Sequence, residues 1–178
     1  MRKGQMEIIG LVVIVILITL GMLFLAKFAL NTKQANTLLL RKGLASSSVP
    51  ALLKTTVDAG ICDGGAVPQL QDVLEDCARN YPPELSRSVL SCDGKHSCDF
   101  FRDTAQKLLD STLGSWRKKY EFRSHLIRTP GIEPIALLDP PVGSEGGCPS
   151  TKSRDSSGAF PLPTPDAGLI QSVLFVCD

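Results

Sequence analysis

The chain has 178 residues, 43% of them hydrophobic and 21% charged, with a formal net charge of +1. So even a balance, with no long run of like charge, excludes the electrostatic footprint of a nucleic-acid partner. Once the apolar N-terminus described next is set aside, roughly 130 to 145 residues are left, enough for one modest domain and too few for two.

The first stretch, Met1 to Leu30, contains an uncharged run from Ile8 to Ala26 with nothing more polar than Thr19, Gly10 and Gly21. About nineteen residues at ~1.5 Å each span roughly 28 Å, the thickness of the hydrocarbon core of a bilayer. Each Leu, Ile, Val or Phe adds about −0.3 to −0.6 kcal/mol to insertion, so the run clears the threshold for a membrane helix despite its glycines. Arg2 and Lys3 precede the run while Glu7 sits at its edge, so the positive-inside rule places the N-terminus in the cytoplasm and the rest outside. Phe24-Leu25-Ala26-Lys27-Phe28 offers no small-x-small cleavage site, which predicts that the helix stays on the mature chain.

Arg2-Lys3-Gly4-Gln5-Met6-Glu7, set directly before an uncharged helix, resembles the class III signal peptide of type IV pilins, especially archaeal pilin-like proteins. The resemblance covers about the first 30 residues. It implies that a prepilin peptidase cuts on the cytoplasmic side between Gly4 and Gln5 and leaves the hydrophobic helix on the product. It further implies that Glu7 pairs with the new amino group of Gln5 on a neighbouring subunit, although Glu7 lies closer to the cut than the acid of bacterial pilins. Elementary electrostatics agrees with the cut: a helix packed in the dry centre of a filament cannot keep Arg2 and Lys3 unpaired, because burying isolated charges costs several kcal/mol each. The implied partners are membrane lipid, the peptidase and further copies of the chain. The alternative is an uncleaved, single-pass anchor carrying an extracellular binding or envelope module.

Residues 1–31 are thus expected to form the signal peptide and membrane or filament-core helix, 32–45 a connector, and 46–178 an extracytoplasmic head. An extended piece is predicted near Asn36 to Arg41. Ser46-Ser47-Ser48-Val49-Pro50 reads as a helix start, with a serine cap and proline in the first turn, Leu52, Leu53 and Val57 as its buried stripe, and Gly60 as its stop. Leu70, Val73, Leu74 and Cys77 recur at helical spacing within a second helix, Pro68 to Ala78. A third starts near Ser97 and aligns Phe101, Ala105, Leu108, Leu109, Thr112, Leu113 and Trp116 on one face, closing near Gly114.

The period then shortens to two. Trp116, Tyr120, Phe122, Ser124 and Leu126 alternate against Arg117, Lys119, Glu121, Arg123 and His125, the pattern of a half-buried strand. Ile132 to Leu138 reads as a weaker strand and Leu169 to Cys177 as a buried one. Asp139-Pro140-Pro141, Gly143 to Gly147 and Ser150 to Gly158 read as loops. The expected fold class is α+β: a long N-terminal transmembrane helix, then a small disulfide-stabilised head of about three helices and a small antiparallel sheet.

Six cysteines, Cys62, Cys77, Cys92, Cys98, Cys148 and Cys177, all follow the apolar helix, an even number that predicts three disulfides on the outer side. Pairing by local element gives Cys62 with Cys77, Cys92 with Cys98, and Cys148 with Cys177. Cys92, His96 and Cys98 are the one cluster with metal-ligand chemistry; a disulfide-closed turn is the favoured reading, since no second Cys/His pair accompanies it. No metal or other cofactor is expected. His96 and His125 are the only imidazoles, no nucleophile elbow or zinc-protease helix is present, and no enzymatic activity is expected. Glu75, Asp76 and Asp110 have the spacing of solvated helix faces, and Asp63-Gly64-Gly65 and Gly146-Gly147 that of turns. Arg154-Asp155-Ser156-Ser157-Gly158 is either an exposed recognition loop or simply a loop, and Trp116, Tyr120 and Phe122 are expected to pack in the core.

Overall fold

A computed structural model describes residues 3–58, 60–63, 67–84, 86–129, 131–151 and 153–177, with backbone alone over 3–9 and 28–41. Two compact units emerge, Met1–Leu40 and Arg41–Asp178. The first consists of the greater part of helix α1, Lys3–Leu53; the second holds the end of α1 and everything after it.

α1 departs from expectation at two places. The backbone over Asn36 to Arg41 is helical, not extended, and Ser46 to Pro50 is helix interior, not a start. The serines explain the second result. Ser46 donates its hydroxyl to the carbonyl of Gly43 at 3.0 Å, and Ser47 and Ser48 donate to that of Leu44 at 3.2 and 2.7 Å. A serine hydroxyl satisfied by a carbonyl three or four residues back is no longer available as a cap, so the helix passes through. Ala45, Val49, Leu52 and Leu53 are its buried stripe in the second unit. The helix ends at Leu53, well before Gly60, and Val57 is buried from an extended segment whose amide donates to the Pro68 carbonyl at 2.8 Å.

α2, Leu70–Arg79, buries Leu70, Val73, Leu74, Cys77 and Ala78, as its periodicity predicts. Its first turn is closed by Asp72, which accepts the Gln69 amide at 2.8 Å. α3, Ser97–Leu109, buries Phe101, Ala105 and Leu109 and then widens into a π-helical turn, Asp110–Gly114, that the sequence did not announce. The extra residue in that turn advances the register, so Leu113 is buried but Trp116 emerges 58% exposed in a bend where Arg117 takes a positive φ of 56°. Trp116 is therefore neither on the core face of α3 nor in the strand, against expectation.

The sheet has six strands, all pairs antiparallel. Its spine is β1, Lys119–Ile127, against β6, Gly168–Cys177, in register from Lys119 opposite Cys177 to Ile127 opposite Leu169. Tyr120, Phe122, Ser124 and Leu126 from β1, with Ile170, Ser172, Leu174 and Val176 from β6, form one buried face. α3 packs on that face, with the Phe101 and Phe122 rings 6.0 Å apart. The outer edge of β1 is covered by β2, Ile135–Ala136, and β3, Val142–Gly143. The outer edge of β6 is covered by β4, Arg154–Ser156, and β5, Phe160–Thr164.

Three of these strands correct loop or longer-strand expectations. β2 is only the centre of Ile132 to Leu138, and Ile132 is 65% exposed. β3 and β4 fall inside segments read as loops. β5 carries Pro161 and Pro163, alternate residues whose missing amides cost nothing on the side of an edge strand that faces away from its partner. Helices followed by an antiparallel sheet, fastened by three disulfides, is the coarse architecture the sequence pattern implied.

Candidate membrane and assembly helix

Over Gly10–Lys27, α1 is uncharged up to its last residue and none of it is buried against the rest of the chain. The eight side chains from Leu11 to Ile18, with Leu20, Met22, Leu23, Phe24 and Leu25, are 48 to 72% exposed. Fully burying a large apolar side chain is worth about 1.5–3 kcal/mol, so these thirteen, little more than half exposed, leave on the order of 10–25 kcal/mol unclaimed. That is at least comparable with the ~5–15 kcal/mol by which a domain is stable. An apolar surface of that size is unfavourable in bare water. Eighteen residues at ~1.5 Å make about 27 Å, long enough to cross a membrane, a property shared by membrane anchors and signal sequences near an N-terminus. Thr19, the most polar side chain in the run, donates its hydroxyl to the Ile16 carbonyl at 2.9 Å and so needs no partner from the surroundings.

Gly4, Gln5 and Glu7 lie on helical backbone in the first turns of α1; their side chains, and Met1 and Arg2 altogether, lie outside the described residues. The six cysteines all form disulfides, but two of the three partners differ from the local pairing. Cys62 joins Cys92, Cys77 joins Cys98, and only Cys148 with Cys177 matches. The reason is topological. Cys77 on the buried face of α2 meets Cys98 in the first turn of α3, while Cys92 sits in an antiparallel bridge opposite Cys62. Closing loops of 21 to 30 residues, each bond removes about 3–4 kcal/mol of unfolded-chain entropy in the loop-closure model.

The cysteine and histidine cluster is thereby dispersed. Cys92 and Cys98 are bonded to different partners, and His96 Nδ1 caps α3 by accepting the Cys98 amide at 3.2 Å. Among the described residues no three His, Cys, Asp or Glu side chains stand close enough to hold a metal ion. His125 lies half-buried on β1, opposite Gln171.

Other expected surface groups do structural work. Asp76 is 5% exposed instead of solvated: it accepts the amides of Val89 and Leu90, each at 3.2 Å, and the Asn80 side-chain amide at 2.9 Å, so it ties the loop after α2 to its helix. Glu75 is not freely solvated either: its side chain is 19% exposed, pairs with Arg79 at 3.6 Å and accepts the Gln71 side-chain amide at 3.0 Å. Asp110 accepts the Tyr120 hydroxyl at 2.7 Å and the Gln106 amide at 2.9 Å, which holds the π-helical turn to β1. Burial and that bond to Asp110 push the Tyr120 hydroxyl well above the usual tyrosine range. Gly146 and Gly147 adopt positive φ in the turn before Cys148, as turn residues should; Gly64 and Gly65 lie outside the described residues.

Between the end of α1 and the α3 side lies an open, mainly apolar groove of about 330 Å³, with Leu44, Ala51 and Leu52 on one wall and Leu108, Leu113 and Trp116 on the other. Comparison with protein-family models, with curated proteins and with solved structures finds no match to this chain.

Proposed function

We propose that this chain is a type IV pilin-like structural subunit of a surface filament, or the membrane-anchored precursor of one, assembled through its N-terminal helix after cleavage between Gly4 and Gln5. The observation that carries the reading is the wholly uncovered Gly10–Lys27 helix attached to a unit that already has its own core. A chain whose head folds without its most hydrophobic segment keeps that segment for something outside itself. Lipid covers it before assembly, and the same segment of other copies covers it afterwards. The motif Arg2-Lys3-Gly4-Gln5-Met6-Glu7 supplies the conversion, since trimming at Gly4 removes the two cations that would be stranded in a dry helix bundle. Glu7 then pairs with the freed amine of Gln5 on a neighbour and sets the stagger between subunits.

In this reading the head faces the outside, where disulfides persist, and the chain has a structural role, not a catalytic one. Replacing Gly4 by leucine tests it in cells that carry the processing enzyme. Loss of the mature form and of sedimentable or visible filaments, with full-length chain still in the membrane, is the expected result. Normal filaments from the Gly4→Leu chain would overturn the processing step, and a wild-type chain that detergent always releases as dispersed monomers would favour the uncleaved anchor.

A further inference from the structure

Cleavage after Gly4 places Gln5 at the head of the chain. In that position glutamine can consume its own α-amine, because the nitrogen reaches the side-chain amide carbon and closes an unstrained lactam. The nitrogen lone pair forms a bond to Cδ, the Cδ–Nε2 bond breaks, and the surplus proton of the amine leaves on the departing ammonia. The step needs no oxidant, cofactor or enzyme. Gly4 and Met6, on either side, carry no such electrophile.

The helical backbone does not oppose the ring. Gln5 lies in the first turn of α1, Lys3–Leu53. A helix that begins at Gln5 has no carbonyl four residues back for its first nitrogens, so tying up the first of them breaks no helical bond, and the Gln5 carbonyl stays free to accept. Between Gln5 and Ala26 the only charged side chain is Glu7. The new amine is therefore the one cation that cleavage leaves in this segment, and the lactam is neutral. An α-amino group ordinarily titrates near about pH 7.7–8.0, so at neutral pH part of the population is unprotonated and carries the electron pair that the attack uses. An amine held as ammonium by a neighbour's carboxylate has no such pair.

We propose that Gln5 is a self-capping site that separates assembled from unassembled chains. Paired with Glu7 of a neighbouring copy, its amine persists; left unpaired, it closes to pyroglutamate and leaves Glu7 no cation to meet. Self-capping rests on the proposed cut after Gly4 and on the proposed Glu7 pairing. It limits the time for which a processed chain stays competent to assemble.

The test uses cells that express the full chain together with the processing enzyme. Protein synthesis is stopped, and sheared filaments and the detergent-soluble membrane pool are collected over time. Free amines are blocked by reductive methylation at lysis, so that closure during work-up is not counted, and the mass of the N-terminal peptide is read. In filaments that peptide should carry a methylated amine. In the membrane pool a growing share should have lost one ammonia and escaped methylation. Gln5→Ala, which keeps an amine and cannot close, should stay methylatable in both fractions, and its chased pool should still enter filaments severalfold better than the parent's. An open Gln5 throughout the chased pool, with Gly4 absent, overturns self-capping and leaves the cleavage reading standing. Lactam as abundant in filaments as in the pool overturns the protection by Glu7. Chains that retain Met1 to Gly4 in both fractions overturn the cleavage reading itself, and self-capping with it.

Discussion

Replacing Asp76 by alanine should destabilise the head more than any other surface-chemistry change to α2. The carboxylate is 5% exposed and satisfies the amides of Val89 and Leu90 as well as the Asn80 side chain. Alanine leaves two backbone donors in a part-buried setting with no acceptor, at about 1–3 kcal/mol each when water cannot replace the bond. Partial rescue by solvent at the half-open loop puts the net loss at about 2–4 kcal/mol. For a unit of this size each kcal/mol moves the midpoint by roughly 3–4 °C, so the shift should be about 6–15 °C. Asp76→Asn retains one carbonyl acceptor and should fall between parent and alanine. Thermal circular dichroism of the detergent-solubilised chain measures both, and limited proteolysis should show earlier cutting between residues 82 and 90. An Asp76→Ala chain within about 0.5 kcal/mol of the parent, with that loop equally resistant, would show that the carboxylate does not hold it.

Peptide mapping under non-reducing conditions should recover Cys62 linked to Cys92, Cys77 to Cys98 and Cys148 to Cys177, and a Cys62 to Cys77 link would refute the arrangement of α2 on α3. Because the folded Tyr120 hydroxyl holds its proton more tightly than in the unfolded chain, its contribution is complete below about pH 10 and is lost as pH rises above that. Stability followed from pH 8 to 12 should therefore decline in the parent and decline less in Tyr120→Phe; parallel curves would contradict the buried hydroxyl. Gly168 has a φ of 121° and a Cβ there would lie 2.4 Å from the Ile127 carbonyl, so Gly168→Ala should cost more than about 2 kcal/mol in denaturant unfolding, and a neutral result would refute the close β1–β6 approach at that end.

What the sequence disclosed followed from periodicity. Two-residue alternation through Tyr120, Phe122, Ser124 and Leu126 located β1, and the apolar run at Leu169 to Cys177 located β6, because a strand packed on one face or buried on both writes its environment into its pattern. Three-to-four spacing located α2 and α3 for the same reason. Short edge strands carry no such pattern. Arg154–Ser156 and Val142–Gly143 exist because β6 and β1 offer edges to pair with, a tertiary cause invisible in three residues. Ser46 to Pro50 misled because the same hydroxyls that cap a helix also bond back into one, and only the preceding residues decide which. The π-helical turn shifted Trp116 outward by a change of register that side-chain types do not signal. At the candidate site, the apolar run from Gly10 onward was fully legible, whereas the cysteine partners depended on how α2 meets α3.

The most direct test of the assembly reading is the N-terminus of the chain recovered from the cell envelope, read by intact mass and terminal sequencing. A mature chain that begins at Gln5 and retains the Gly10–Lys27 helix is the result expected. A chain that still carries Met1 to Gly4, or one that begins beyond Lys27, would contradict it.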